Sequence, residues 1–227
     1  MERHSEKGSA ILWILIAVAL FAALNYAFNS SSRVSTSLLS DAEAEAYANE
    51  IIQYGNEVKS AIKRMQLRGC KDTEISFENS VVAGYTNPNA PVDNSCHVFD
   101  IAGGGLQWKN SENIDLVYTS SNRVGGVGIA NKRDLVLVAK EVSKEICQEI
   151  NKNNNIDSGG DYISEENDYY KLDKHIGIFD EGGALLSGNG SPGTSGKSFG
   201  CILSIATPPV GENTQINKYY VHYVLIT

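Results

Sequence analysis

The chain has 227 residues, enough for one or two domains at roughly 150 residues each, so a large multidomain machine is excluded. Its 42% hydrophobic and 20% charged residues, with 21 glycines, are typical of a folded, loop-rich protein that contains β-structure. The formal net charge of −8 repels phosphate backbones, so nucleic-acid binding is not expected.

An apolar segment lies close to the N-terminus. Between residues 10 and 24 no side chain is polar, and after Asn25 three further residues extend the segment. About 19 residues of helix span ~28 Å, close to the ~30 Å hydrocarbon core of a bilayer. We therefore predict a transmembrane helix over residues 9–28, with a buried core helix and a cleaved secretory signal as the alternatives.

The charges around this segment predict its orientation. Arg3 and Lys7 precede it, whereas Arg33 is followed by several acidic residues, beginning with Asp41. Because positively charged flanks tend to stay in the cytoplasm, the N-terminus is predicted to be cytoplasmic. The remainder of the chain is then expected to be periplasmic or extracellular.

The junction before the apolar segment resembles the leader junction of type IV pilins and type II secretion pseudopilins. A short charged leader with Arg3 and Lys7 ends at Gly8, and Ser9 precedes the apolar run. By this resemblance, residues 1–8 are a leader peptide that a prepilin peptidase removes, and Ser9 becomes the N-methylated first residue. The resemblance also implies that the partners are other pilin or pseudopilin subunits, assembled at a bacterial inner membrane.

One residue departs from the family pattern. Trp13 occupies the fifth position after the implied cleavage site, where these families usually have a glutamate that pairs with the amine of a neighbouring subunit. The minor subunit at the tip of the type II pseudopilus likewise lacks that glutamate. Because an unpaired carboxylate inside lipid is costly, its absence is consistent with a terminal position. The resemblance therefore implies a minor, tip-type subunit rather than a major pilin.

A second helical pattern follows the apolar segment. Ser40 and Glu43 have the spacing of a capping box, and Gly69 is expected just past the helix end. Between them, apolar residues recur at helical spacing, with acidic residues early and basic residues late. Joined to the transmembrane segment, this pattern predicts one helix of about 60 residues, whose extracytoplasmic part covers residues 29–69. An ordinary membrane-proximal helix is the alternative.

Residues 70–227 are predicted to form a globular α+β head, in which the long helix packs on an antiparallel β-sheet as in the pilin fold. Ser143 is expected to cap a short helix from 144 to about 152, and the polar residues 151–168 are predicted to be an exposed loop. The last two strands are expected to pair antiparallel. Short apolar runs between turn residues predict strands at 74–77, 96–101, 114–119, 135–138, 175–179, 201–206 and 219–226.

The four cysteines, Cys70, Cys96, Cys147 and Cys201, include no C-x-x-C pair, which argues against a zinc or dithiol redox site. In an oxidising compartment two disulfides are expected. Four cysteines allow three pairings. Proximity in sequence favours Cys70 with Cys96, which leaves Cys147 with Cys201.

No group of residues in the head predicts catalysis. His97, His175 and His222 lie in strand-like contexts, outside any metal-binding or nucleophile motif. Residues 191–198 end like a phosphate loop, but the first glycine is missing and a strand pattern follows. We therefore expect a protein that is not an enzyme and has no cofactor.

Calcium is the one ion that the sequence suggests. Pseudopilins of the secretion class bind calcium in loops, and Asp157, Asp161 and Glu165 supply carboxylates in the polar segment. Their spacing matches no EF-hand loop, so they are weak candidates and a solvated acidic loop is the default interpretation.

The leading hypothesis is a structural minor pilin or pseudopilin that initiates or caps a type IV pilus-like or type II secretion filament. The alternative is a single-pass, membrane-anchored extracytoplasmic binding domain of a sensor or an adhesin. An anchored enzyme has the least support, because no nucleophile and base and no metal ligands occur in a recognisable pattern.

Overall fold

A computed structural model describes residues 40–109, 114–128, 132–156, 170–179, 194–205 and 217–227, together with Ile16 and the backbone of Ser164–Glu166 and Ala184–Leu186. The predicted leader (1–8), all of the predicted transmembrane segment (9–28) except Ile16, and residues 29–39 lie outside this set. Ile16 itself is helical. Among the described residues, no helix combines the length and the apolar character that crossing a bilayer requires.

Helix α1 spans Asp41–Leu67 and starts at the predicted capping box. The Ser40 hydroxyl accepts the Glu43 N–H, while the Glu43 carboxylate accepts the Ser40 N–H at 3.1 Å. This reciprocal pair satisfies N–H groups that have no partner within the helix. The buried residues of α1 recur at helical spacing: Ala44, Ala48, Ile51, Tyr54, Gly55, Val58, Ala61, Ile62 and Met65.

Gly69 follows the end of the helix, as the sequence predicts. The Cys70 N–H donates to the Met65 carbonyl at 3.1 Å, and the Gly69 N–H donates to the Gln66 carbonyl at 2.9 Å. Gly69 has a φ of +106°, a left-handed value that glycine adopts without steric penalty. These features define a Schellman motif, and the chain continues into a short 3-10 helix at Asp72–Glu74.

Six strands in the described part of the chain form one sheet. They are β1 (Asp115–Val124), β2 (Asp134–Val142), β3 (Ser164–Glu166), β4 (Ala184–Leu186), β5 (Phe199–Ser204) and β6 (Lys218–Ile226). Their order in the sheet is β3-β5-β6-β2-β1-β4. The four central strands pair antiparallel, whereas the short β3 and β4 run parallel to β5 and β1. The predicted α+β class with an antiparallel sheet is confirmed, as is the pairing of the last two long strands.

Three predicted strands are wrong. Residues 74–77 and 96–101 form turns and irregular backbone joined by a single bridge between Ser76 and His97, and residues 175–179 are also irregular. Their central side chains are nevertheless buried: Phe77 and Val98 are 0% exposed and His175 is 1% exposed. In these segments the apolar residues indicate turns that are buried against the core. They do not indicate a strand, in which apolar and polar side chains alternate.

Helix α2 (Lys144–Asn153) follows β2 and starts at the predicted cap, where the Ser143 hydroxyl accepts the Ile146 N–H at 3.3 Å. The prediction of an exposed loop over 151–168 is wrong at its start and near its end. Asn151 belongs to α2 and is 0% exposed, Ile156 is 1% exposed, and residues 164–166 form β3. Part of this polar segment is therefore packed, and its amide side chains bond to the sheet.

Two of those amides bond to one edge of β5. The Asn151 side chain donates to the Cys201 carbonyl at 2.8 Å and accepts the Cys201 N–H at 2.7 Å. The Asn154 side chain donates to the Phe199 carbonyl. β3 pairs with β5 only from Ile202 onward, so the two asparagines satisfy the strand edge that β3 does not reach.

Both disulfides form with the favoured pairing. Cys70–Cys96 joins the end of α1 to the loop that bridges to Ser76, and Cys147–Cys201 joins α2 to β5. None of the four cysteines is free. Each bridge therefore ties a helix or its end to another segment of the head.

Candidate functional site

Most residues that the sequence singles out for processing, assembly or calcium binding lie outside the described residues. Those of the first two groups are Gly8, Ser9 and Trp13. Those of the third are Asp157, Asp161 and the side chain of Glu165. Across the part of the chain that the structure describes, no group of His, Cys, Asp and Glu side chains is arranged to hold a metal ion.

The exposed face of α1 lines one side of an open cavity. It encloses about 540 Å³ against Leu106, which lies just past the glycine-rich turn at 103–105. Its lining is mainly polar: Asn49, Ile52, Gln53, Asn56, Glu57, Ser60, Arg64 and Leu106. We call this the α1 groove. Its polar residues recur every three or four positions, which is the sequence signal that marks the exposed face.

Charge along α1 is strongly asymmetric. Asp41, Glu43, Glu45 and Glu50 lie in its first ten positions and Lys59, Lys63 and Arg64 in its last ten, with Glu57 between them, over a length of about 40 Å. The hydrogen bonds from Ser40 lower the pKa of Glu43, which keeps that carboxylate ionised beside the positive helix end. Burial, and then the nearby Lys63, lower the pKa of Lys59, whose ammonium donates to the Val224 carbonyl at 3.1 Å.

Close contacts hold the opposite face of α1 on the sheet. A Cβ atom at Gly55 would lie 2.5 Å from Cδ2 of Tyr223 on β6, so helix and strand approach as closely as glycine permits. The Tyr223 hydroxyl donates to Asn56 Oδ1 at 2.6 Å. The Tyr118 hydroxyl on β1 donates to the Tyr54 hydroxyl at 3.0 Å. Because these contacts fix the rotation of α1 about its axis, the α1 groove is a preformed surface.

The arrangement of His175 and Ser120 is structural. The Ser120 hydroxyl donates to the Ile178 carbonyl, so the 2.7 Å contact is a bond from His175 Nδ1–H to Ser120 Oγ. A nucleophilic serine requires the reverse polarity and access to substrate. His175 and Ser120 are 1% and 2% exposed, and burial lowers the pKa of His175 to about 4.

His222 is also enclosed. On β6 it contacts the Tyr170 hydroxyl through Nδ1 at 3.0 Å, and its Nε2 is buried without a hydrogen-bond partner among the described residues. Burial lowers its pKa to about 4, so the imidazole is neutral near pH 7. Neither His175 nor His222 is placed to meet a substrate.

No protein-family model, curated protein or solved structure matches this chain. Function is therefore inferred from the residues of this chain alone.

Proposed function

We propose that this chain is a non-catalytic structural subunit, a minor pilin or pseudopilin that initiates or caps a type IV pilus-like or type II secretion filament. The observation that carries the proposal is α1. This helix starts soon after the apolar segment of the sequence, packs one face on an antiparallel sheet, and leaves the α1 groove exposed on the other. A subunit that assembles through its helix requires this division of faces.

In the proposed assembly, residues 9–28 anchor the subunit in the inner membrane before it enters the filament. The outer face of α1 then meets neighbouring pilin-like subunits. Because acidic side chains predominate near the start of α1 and basic ones near its end, a neighbour displaced along the filament brings opposite charges together. Trp13 offers no carboxylate to a neighbour's amine, so the pairing is one-sided, and one-sided pairing is what a terminal subunit needs.

The first experiment tests processing. The chain is expressed with a prepilin peptidase, and the intact mass of its N-terminal peptide is measured. We expect the wild type to begin at an N-methylated Ser9, and Gly8→Val to retain residues 1–8. Ser5→Val, a matched change within the leader but away from the junction, should be processed normally. A wild-type chain that retains Met1, or a Gly8→Val chain that is cleaved, would contradict the proposal.

The second experiment tests position in the filament. Filaments are sheared from cells and the copy number of each subunit is measured by quantitative mass spectrometry. A terminal subunit should be present at far lower abundance than the major subunit, with labelling confined to one end. Equal abundance, or labelling along the whole shaft, would eliminate the tip assignment.

A membrane-anchored binding domain is the second candidate. It is favoured by a second cavity, which lies beside β1 and β2 and is distinct from the α1 groove. It predicts an N-terminus that the peptidase leaves intact. The processing experiment therefore separates the two candidates.

A further inference from the structure

A cavity of about 260 Å³ lies where β1 and β2 meet three loop segments of the head. Its lining includes two aromatic rings, three lysines and one carboxylate: Tyr85, Trp108, Lys109, Lys140, Lys174 and Asp115. The chain as a whole carries a formal net charge of −8, so an excess of lysines around one cavity is a local reversal of sign. Such a reversal favours an anionic ligand.

Two of the lysines have carboxylate partners. Lys140 Nζ lies 2.6 Å from Asp115 Oδ2, across the paired strands β1 and β2. Lys109 Nζ lies 3.1 Å from Glu50 Oε1 on α1. These two pairs fix the positions of the cations, while their charges are largely balanced.

Lys174 is different. Its ammonium donates to the Ala83 carbonyl at 2.6 Å and lies 5.2 Å from the centre of the Tyr85 ring. Within the described residues no carboxylate forms an ion pair with it. A carbonyl and an aromatic face orient the Lys174 ammonium without supplying a countercharge, which leaves it available to an anionic ligand.

The aromatic side of the cavity is rigid. Tyr85 is 1% exposed, and its hydroxyl accepts the Tyr118 N–H at 3.1 Å. Trp108 is partly exposed, its ring centre lies 5.7 Å from that of Tyr85, and its indole N–H has no acceptor in the part of the chain described. A rigid aromatic surface beside charged groups suits a ligand with one apolar face and a polar edge.

We propose that this cavity binds one ring of an acidic sugar, a uronic acid, either free or at the end of an oligosaccharide. The carboxylate of the sugar pairs with Lys174 and the C–H face of its ring lies on Trp108. The cavity is smaller than the roughly 300–1,000 Å³ of sites for drug-sized ligands, which limits the ligand to about one ring.

Asp115 distinguishes a sugar from other ring-shaped carboxylates. Its carboxylate only accepts hydrogen bonds, and sugar hydroxyls donate them. An aromatic carboxylate such as benzoate has no hydroxyl to offer, so Asp115 gains no hydrogen bond from it. The site is separate from the α1 groove, so its test does not depend on filament assembly.

The chain contains two tryptophans, so the full chain with Trp13→Phe has Trp108 as its sole indole fluorophore. This protein is titrated with D-glucuronate, with D-glucose as the uncharged control and with benzoate as the aromatic carboxylate. A second series compares free glucuronate with a disaccharide that ends in glucuronate. Lys174→Gln removes the unpaired cation, and Lys63→Gln, an exposed lysine of α1 that does not line the cavity, is the matched control.

We expect a saturable fluorescence change with glucuronate that is absent with glucose and weakens as salt is raised. Lys174→Gln should raise Kd by about tenfold, while Lys63→Gln leaves it unchanged. Tighter binding of the disaccharide would identify a polysaccharide end as the source, and tighter binding of the monosaccharide a free sugar. Benzoate binding more tightly than glucuronate, an equal response of both lysine variants, or no saturable change up to about 50 mM would overturn the proposal.

Discussion

Replacing Gly55 by alanine tests how closely α1 approaches the sheet. In a solvated helix the change would stabilise the protein by about 1 kcal/mol, because alanine is the better helix former. Here the added Cβ would lie 2.5 to 2.9 Å from three atoms of the Tyr223 ring. That ring stacks on Phe199 with an interplanar angle of 5°, and its hydroxyl bonds to Asn56, so it has little freedom to move aside.

Overpacking of a well-packed core costs about 1–3 kcal/mol. We therefore expect Gly55→Ala to lower the free energy of unfolding by up to about 2 kcal/mol after the gain in helix propensity is subtracted. Urea unfolding of the purified chain, followed by circular dichroism with the m-value monitored, measures this quantity.

A double-mutant cycle tests whether the Tyr223 ring causes the loss of stability. With Tyr223→Leu as the background, the ring is gone and Gly55→Ala should become stabilising, by about 1 kcal/mol. Ser60→Ala, on the exposed face of the same helix, should be mildly stabilising in both backgrounds and serves as the control. A stabilising Gly55→Ala in the presence of Tyr223 would refute the proposed close approach.

Three further predictions concern stability. Serine at both Cys147 and Cys201 should lower the free energy of unfolding by about 4 kcal/mol in the chain-entropy model. Urea unfolding under oxidising conditions measures this loss, and an unchanged midpoint would contradict it. Acidification should destabilise the fold between pH 6.5 and about 4, because His175 and His222 are neutral in the folded state and protonated in the unfolded state. Burial raises the pKa of Asp134 to about 6, so the folded state binds this proton more tightly and Asp134 partly opposes the loss of stability. His222→Gln should flatten the dependence of stability on pH, and an unaltered slope would be evidence against a neutral, buried His222. Ser40→Ala should cost about 1 kcal/mol by removing the cap of α1, whereas the nearby exposed Glu45→Ala should have little effect on the thermal midpoint.

Local signals in the sequence predicted the elements whose boundaries depend on a few neighbouring residues. Ser40 and Glu43 identify the start of α1, and Gly69 identifies its end, because caps are satisfied within four residues. The pairing of Cys70 with Cys96 also followed from proximity along the chain.

The sequence predicted secondary structure wrongly where a buried side chain belongs to an irregular segment. Phe77 stacks on Tyr118 with ring centres 4.1 Å apart, although its own backbone forms no strand. Apolar runs of four residues cannot distinguish a strand from a turn that is packed on the core. Neither cavity could be predicted from the sequence. Leu106 meets α1, and Lys174 meets Tyr85, only after distant segments have folded together.

The two asparagines of α2 have a consequence for misfolding. An unpaired strand edge is a template for the strand of another molecule, and the amides of Asn151 and Asn154 close the part of β5 that β3 leaves open. The Cys147–Cys201 bridge keeps α2, and with it these amides, against the strand. In a reducing environment only noncovalent contacts hold α2 against β5, so this strand edge can open to another molecule while the central strands are still paired.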